Sequence, residues 1–211
     1  MNRTGYELLK RAMDVAGAVS VLIIASPAMA AVAVVIAVRM GRPVFFSQAR
    51  PGKDAKIFML WKFRTMLNVD ATKRLVEDGE RLTALGRFLR ATSLDELPTM
   101  INVLRGDMSF VGPRPLLVQY LDKYTPRQAR RHEVRPGVTG LAQCKGRNAL
   151  SWEEKFEWDI SYVENRSLIL DARILLWTFA SVVRREGISA NDHATMPEFE
   201  GSQLTVRGEE E

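Results

Sequence analysis

From Val15 to Val38 the chain runs for 24 residues without a charge, almost all of them apolar, interrupted at the centre by Ser26-Pro27. As a helix this stretch covers about 36 Å, more than a bilayer core of about 30 Å. Proline removes a helical hydrogen bond and crowds the preceding turn, which predicts a helix-break-helix of two 11-residue runs, Val15–Ala25 and Ala28–Val38. Neither run is long enough to span alone. Arg3, Lys10 and Arg11 precede the stretch, and Arg39, Arg42, Arg50 and Lys53 follow it. Both clusters favour the cytoplasmic side, so the expectation is a re-entrant hairpin that turns at Ser26-Pro27 and returns to the anionic surface. A proline-kinked span is the alternative. A cleaved signal peptide fits poorly, because the run is too long and no small-residue cleavage site is followed by a plausible exported domain.

Beyond residue 40 the polarity pattern shortens. Pro43–Gln48 and Lys56–Arg64 read as strands around the turn-rich segment 49–54, with Ile57, Met59, Trp61 and Phe63 alternating against Phe58, Leu60, Lys62 and Arg64. From Asp70 to Arg90, Leu75, Leu82, Leu85, Phe88 and Leu89 recur among basic residues, predicting an amphipathic helix lying in the membrane interface or packed on the core. Thr125-Pro126 opens a basic helix through Arg127, Arg130 and Arg131 that ends at Arg135-Pro136-Gly137. Val138–Gln143 reads as a short strand, and Ser151 to Glu154 has capping-box spacing for a helix presenting Phe156, Ile160 and Val163. Leu168–Val183 is a last amphipathic helix, and the polar tail from Gly201 is expected to be disordered. The domain expectation is a membrane anchor at 1–40, a compact domain at 41–186 and a tail at 187–211.

Composition narrows the partners. The 211 residues carry a formal charge of +5, compatible with nucleic acid, anionic lipid or a phosphorylated substrate. The apolar stretch favours lipid, and no recognition-module signature or basic tail argues for DNA or RNA. The single Cys144 rules out an internal disulfide and has no metal-ligand spacing around it. His132 and His193 read as surface residues without a catalytic part. No feature sets an oligomeric state.

Two segments carry candidate chemistry. In Thr92-Ser93-Leu94-Asp95-Glu96-Leu97-Pro98, two adjacent carboxylates precede an apolar segment. Taken alone, helix capping by Ser93 and Glu96 is the simpler reading, because acidic residues suit a first helical turn. Further on, Pro113-Arg114-Pro115 holds one arginine between two prolines, which fix their own backbone and restrict their neighbour. A guanidinium presented that rigidly suits a phosphate or nucleotide, whereas the plain alternative is a surface ion pair. Lys62, Arg64 and Arg90 are candidates to complete an anion site; each alone also reads as an interfacial cation.

The order of these motifs resembles a known family. Lys10-Arg11 with Asp14, Ser26-Pro27, Pro43-Val44-Phe45-Phe46 with Gln48, Arg50 and Gly52, Lys62-Phe63-Arg64-Thr65-Met66, Ser93 to Pro98, Asn102, Val111 to Pro115 and Arg135-Pro136-Gly137 recur in the bacterial sugar transferases, the monotopic phosphoglycosyl transferases. The likeness covers roughly Lys10 to Val183. Gly146 to Ala149, Ser151 to Phe156, Asp159, Tyr162 to Asn165 and Met196-Pro197-Glu198-Phe199 resemble the minimal-core members that handle UDP-N,N'-diacetylbacillosamine and related N-acetylated sugars.

The resemblance implies transfer of a phospho-sugar from a UDP-sugar to undecaprenyl phosphate, with release of UMP and a requirement for Mg²⁺. By position, Asp95 would be the nucleophile and Glu96 a metal ligand. Pro113, Arg114 and Pro115 would meet the uridine and phosphate end, and Ser26-Pro27 would form the membrane hinge. A pyrophosphate repels an anionic attacker unless a metal and basic side chains neutralise its oxygens. The expected architecture is α+β: a re-entrant membrane helix, interfacial amphipathic helices and a small mixed cytoplasmic domain at the bacterial inner membrane. A non-catalytic adaptor binding anionic lipid, and a peripheral nucleic-acid binder, are the competing classes.

Overall fold

The computed structural model describes residues 3–68, 78–146, 150–184 and 198–201. The first element, α1 (Arg3–Met40), is one unbroken helix with Pro27 inside it. The two-run expectation is therefore corrected at the level of the backbone, and the reason lies in the preceding residue. Pro27 has no N–H for the Ile23 carbonyl, and Ser26 Oγ donates to that same oxygen at 2.8 Å. The acceptor is satisfied, and the helix continues.

Tyr6, Lys10, Asp14, Ala18, Leu22, Ala25, Met29, Ala33, Ile36 and Met40 are buried or half-buried, three or four residues apart. They form one stripe that passes Pro27 without a gap and lies against the rest of the molecule. The opposite face is exposed and apolar, with Leu8, Met13, Ile23, Ile24, Val34 and Val38 uncovered. Along the stripe, Ala18 packs with Leu60, Met100, Val103 and Met108, while Ile36 packs with Phe63 and Leu89.

Polar ties reinforce this seating. Arg11 donates to the carbonyls of Val103 and Leu104. Asp14 accepts from Ser109 Oγ and the Phe110 amide. Asp171 accepts from Tyr6 and Lys10 on one oxygen and from Tyr162 on the other, at 2.9, 2.9 and 2.8 Å. Asp171 is thus partnered on both oxygens and Asp14 accepts twice on Oδ1, as burial of a charge requires.

Strands β1 (Phe45–Pro51) and β2 (Ile57–Phe63) pair antiparallel from Phe45↔Phe63 to Pro51↔Ile57. The ladder runs past the expected start of the turn, so Arg50 and Pro51 belong to a strand. Pro51 lacks an amide donor but closes a two-stranded edge, where that loss is tolerated. Phe46, Gln48 and Arg50 share one face with Lys62, Leu60 and Phe58.

The predicted helix over 70–90 divides. Positions 69–77 lie outside the described residues; then α2 (Asp78–Arg81) ends where Leu82 bridges Met66, and α3 (Ala84–Ala91) begins behind Thr83, whose hydroxyl accepts from the Gly86 amide. Gly86 packs so closely that a Cβ would lie 1.9 Å from the Thr65 carbonyl oxygen. Leu89 is buried and Phe88 exposed, so α3 packs on the core and turns one aromatic ring outward.

The short helix α4 (Met100–Arg105) leads to β3 (Ser109–Val111), which pairs parallel with β4 (Gly137–Thr139). Between them, Thr125 and Gln128 form the capping box of α5 (Pro126–Ala129), which gives way to a 3-10 turn over Arg130–Glu133 rather than a longer helix. The strand expected over 138–143 is only β4; Gly140 opens α6 (Leu141–Lys145) instead. The Ser151–Glu154 capping box starts α7 (Trp152–Asn165), whose Phe156, Ile160 and Val163 are buried as the spacing predicts. The last helix is α8 (Leu168–Arg184), with Ile169, Leu176 and Phe179 exposed.

Phe199, ahead of the tail expected to be disordered from Gly201, is 1 % exposed and packed among Tyr120, Tyr124, Trp152 and Phe156. The surface reading of His132 is corrected. His132 is half-buried, with Nδ1 against the Gly52 carbonyl, and burial pushes it down to about 4; it is a neutral packing residue. His193 lies outside the described residues.

Candidate active site

Asp95 and Glu96 stand on a 3-10 turn, Leu94–Thr99, entered through Ser93 in the left-handed conformation at φ 56°. That geometry defeats the capping reading: the Ser93 side chain caps nothing, and the Glu96 carboxylate turns away from the backbone. The turn is fastened to β2. Thr99 Oγ1 donates to the Trp61 carbonyl, Asn102 accepts from the Trp61 amide, and Asn102 Nδ2 donates to the Met59 carbonyl. Side chains thereby take over the hydrogen bonding that a third strand would supply to this edge. The result sets Lys62 beside Glu96.

Lys62 Nζ donates to Glu96 Oε1 at 2.5 Å, and Arg114 Nη2 reaches the same oxygen at 3.2 Å. Neither engages Oε2. Burial alone would raise the Glu96 carboxyl, but the Arg114 and Lys62 charges outweigh it and hold it at about 2. Asp95, 7 % exposed, moves the other way. Burial and then the Glu96 charge push it up to about 6, against the opposing pull of Lys62, Arg90 and Arg114. Adjacent carboxylates are thus separated in proton affinity, one permanently charged and one titrating just below neutrality, a division characteristic of sites that do chemistry.

Arg114 owes its place to the backbone on either side. Gly112 and Gly137 touch across β3 and β4 so tightly that a Cβ on Gly112 would lie 2.3 Å from the Arg135 carbonyl oxygen. Only glycine permits this approach. Arg131, paired with Asp159 through Nε and Nη2, also donates from Nη2 to the Arg114 carbonyl at 2.7 Å. The loop is pinned on one side while its guanidinium stays accessible.

A cleft of about 230 Å³ opens here, lined by Arg50, Leu60, Lys62, Glu96, Thr99, Arg114, Pro115, Tyr120 and Trp152 among others. Of the residues singled out from sequence, Lys62, Glu96, Arg114 and Pro115 line it. Arg90 is exposed, its Nε on Thr65 Oγ1, with its charge felt at Asp95. Pro113 is buried behind the loop. Arg64 lies elsewhere: it donates to the Met40, Gly41 and Arg42 carbonyls and closes the C-terminal end of α1. Ser26 and Pro27 are exposed on α1, away from the cleft. Asp95 is not a lining residue; it is buried next to Glu96, the acidic side chain that lines the cleft. Among the described residues no three His, Cys, Asp or Glu side chains cluster for a metal.

Sequence reasoning passed over Arg50, Tyr120 and Trp152 as lining residues. The turn-rich composition of 49–54 hides Arg50; its alternation with Gln48 and Phe46 and its place in the recurring motif are the signals of the face it shares with Lys62.

A sequence model of the bacterial sugar transferases matches residues 5–185. The "Uncharacterized sugar transferase EpsL" of Bacillus subtilis (strain 168) is 50 % identical over 196 residues, covering 92 % of this chain and 97 % of that protein. The "Undecaprenyl-phosphate galactose phosphotransferase" of Salmonella typhimurium is 38 % identical, covering 85 % of this chain and 41 % of that protein. The "UDP-glucose:undecaprenyl-phosphate glucose-1-phosphate transferase" of Escherichia coli (strain K12) is 39 % identical, covering 81 % and 39 %. The chain spans nearly all of the first relative and about two fifths of the other two. With a match over most of its length and half of its residues shared with a protein of the same extent, the chain belongs to the bacterial sugar transferase family.

Proposed function

We propose that this protein is a polyprenyl phosphate phosphoglycosyl transferase: it moves a sugar 1-phosphate from a UDP-sugar to undecaprenyl phosphate and releases UMP. The observation that carries this reading is the buried Asp95 next to Glu96, which is ion-paired to Lys62 and Arg114 and lines a cation-rich cleft with them. Relatives named for undecaprenyl-phosphate galactose and glucose-1-phosphate transfer support the reaction class.

In this reading an ionised Asp95 oxygen attacks the sugar-bearing phosphorus. The bond from that phosphorus to the bridging oxygen breaks, the electron pair leaves with UMP, and an aspartyl phosphosugar remains. An oxygen of undecaprenyl phosphate then attacks the same phosphorus and frees Asp95. The acceptor is ionised near neutral pH, consistent with a cleft that offers no histidine base among its lining residues. Lys62 and Arg114 hold the phosphoryl oxygens where negative charge accumulates.

The donor set suits Mg²⁺: Glu96 is ionised, its Oε2 is engaged by neither cation, and one or two carboxylates plus substrate phosphates are a usual complement for this ion. Bound there, Mg²⁺ would neutralise the diphosphate and lower the repulsion met by Asp95.

We place the protein at the cytoplasmic face of the bacterial inner membrane, with α1 re-entrant: a helix continuous in its backbone and bent at Ser26-Pro27 in the leaflet, so that both ends return to the same side. The basic residues at both ends of α1, its exposed apolar face and the contact stripe along its whole length support this. A helix accompanied by the domain at every turn is poorly placed to cross a bilayer. For the sugar we favour an N-acetylated substrate such as UDP-N,N'-diacetylbacillosamine, on the resemblance of the late motifs; one relative is named for N-acetylgalactosamine phosphate transfer.

The test is UMP release by purified protein in nanodiscs holding undecaprenyl phosphate, across a panel of UDP-sugars, with Mg²⁺ and with a chelator. Release with one sugar, lost on chelation, is the expected result. Binding to anionic lipid with no release from any sugar would leave the adaptor reading standing. Cysteines introduced near Asn2 and Asp54 should both label from the cytoplasmic side; opposite sides would establish a span.

A further inference from the structure

Arg50 is an arginine without a counter-ion. It lies on the β1 face shared with Lys62 and Leu60 and lines the cleft. Its Nη2 donates to the neutral Gln48 Oε1 at 2.7 Å, and no carboxylate pairs with it among the described residues. Its Nε is shut off from water and has no acceptor. The strongest charge acting on it has the same sign: burial and then the Arg114 guanidinium lower the Arg50 pKa to about 10. A buried N–H without an acceptor, beside a like charge, is unfavourable unless an anion completes it.

Arg114 fixes where that anion sits. Its Nη2 reaches Glu96 Oε1 at 3.2 Å, beside Lys62 Nζ on the same oxygen. Arg50 shares the sheet face of Lys62 but stands four residues along β1 from Phe46, the cross-strand partner of Lys62, about 13 Å at about 3.3 Å per strand residue. Arg50 is thus set back along the strand from the Lys62–Glu96 pair, with Arg114 acting on both ends of the cleft. We propose that Arg50 is a substrate-binding residue that grips the nucleotide-side phosphate of the UDP-sugar, the group that departs as UMP, with Arg114 bridging it to the phosphate under attack. This rests on the transferase reading above. The bridging oxygen keeps the electron pair when its bond to the sugar-side phosphorus breaks, so the departing phosphate gains charge as Arg50 holds it.

The test uses the full-length chain in nanodiscs and measures inhibition by UMP and by uridine, together with kcat and KM. Arg50→Gln should weaken UMP inhibition at least tenfold, leave that by uridine unchanged, and lower kcat/KM about 100-fold, in the range seen when a charge-assisted contact to a reacting group is removed. Arg50→Lys, which keeps the charge and loses the planar fork, should recover part of both. Wild-type UMP inhibition in either variant would overturn the proposal. So would equal loss for UMP and uridine, which would mean that Arg50 merely shapes the cleft. If wild-type protein neither binds UMP nor releases it, the transferase reading itself fails.

Discussion

Replacing Asp95 by Asn should abolish UMP release and at the same time stabilise the protein. Asp95 is 7 % exposed, and burial and Glu96 lift its carboxyl from 3.8 to about 6. At about 1.4 kcal/mol per unit, the ionised side chain weakens the fold by about 3 kcal/mol. Because the folded-state value lies above the unfolded one, this penalty is complete above about pH 6 and vanishes as the pH falls to 3.8 and below. Asparagine keeps the shape and carries no charge, so its advantage follows the same curve. For a chain of this size the gain in Tm is about 6–12 °C at most. Glu96 is common to both proteins and cancels in the difference. The assay is thermal unfolding of wild type and Asp95→Asn in chelator-containing buffer at pH 7.5 and pH 4.0, beside UMP release. The pH dependence of kcat/KM in the wild type should fall on the acid side with an apparent value of about 6. A variant less stable than wild type at pH 7.5, or a gap that does not shrink on acidification, would refute the reasoning.

Gly137→Ala would bring a Cβ within 2.1 Å of the Gly112 amide nitrogen and 2.3 Å of the Thr139 carbonyl oxygen, both backbone atoms that cannot step aside. Destabilisation by at least the ~1–3 kcal/mol typical of overpacking is expected, and an unchanged Tm would contradict the contact. Asp159→Asn should strip a buried Arg131 of its charge partner, costing about 3–5 kcal/mol. Because Arg131 also holds the Arg114 carbonyl, KM for the UDP-sugar should rise as well, and a stability loss with an unaltered KM would separate the two roles. Ser26→Ala should cost about 1 kcal/mol beside Pro27 and almost nothing in a Pro27→Ala background, where the restored amide bonds the Ile23 carbonyl; equal costs in a double-mutant cycle would reject the repair.

Periodicity carried much of the fold. The spacing of Phe156, Ile160 and Val163 gave the buried face of α7, and both capping boxes stand where Thr125-Pro126 and Ser151 put them. Failures came where a distant partner decides the outcome. Ser93 has the local signature of a cap, yet Lys62, 34 positions before Glu96, takes the carboxylate instead. Ala49 to Asp54 has turn composition, but pairing with β2 draws Arg50 and Pro51 into the ladder and turns Arg50 onto the face of the cleft. Arg64 resembles its neighbour Lys62 in sequence; the free carbonyls at the end of α1 claim it. Pro27 is a miss of another kind: its remedy is local, the hydroxyl of the residue before it, and hydropathy alone does not register a single hydrogen bond.

The stripe that joins α1 to the domain from Tyr6 to Met40 has a mechanical consequence. A catalytic head on a flexible stalk samples a volume and meets lipid at every height and tilt. This head has no stalk. In the seating proposed above, the bearing surface and the cleft are joined by one continuous packing, so the distance from Asp95 to the lipid headgroups would be a dimension of the protein, and capture of a lipid-borne acceptor would become a search in two dimensions.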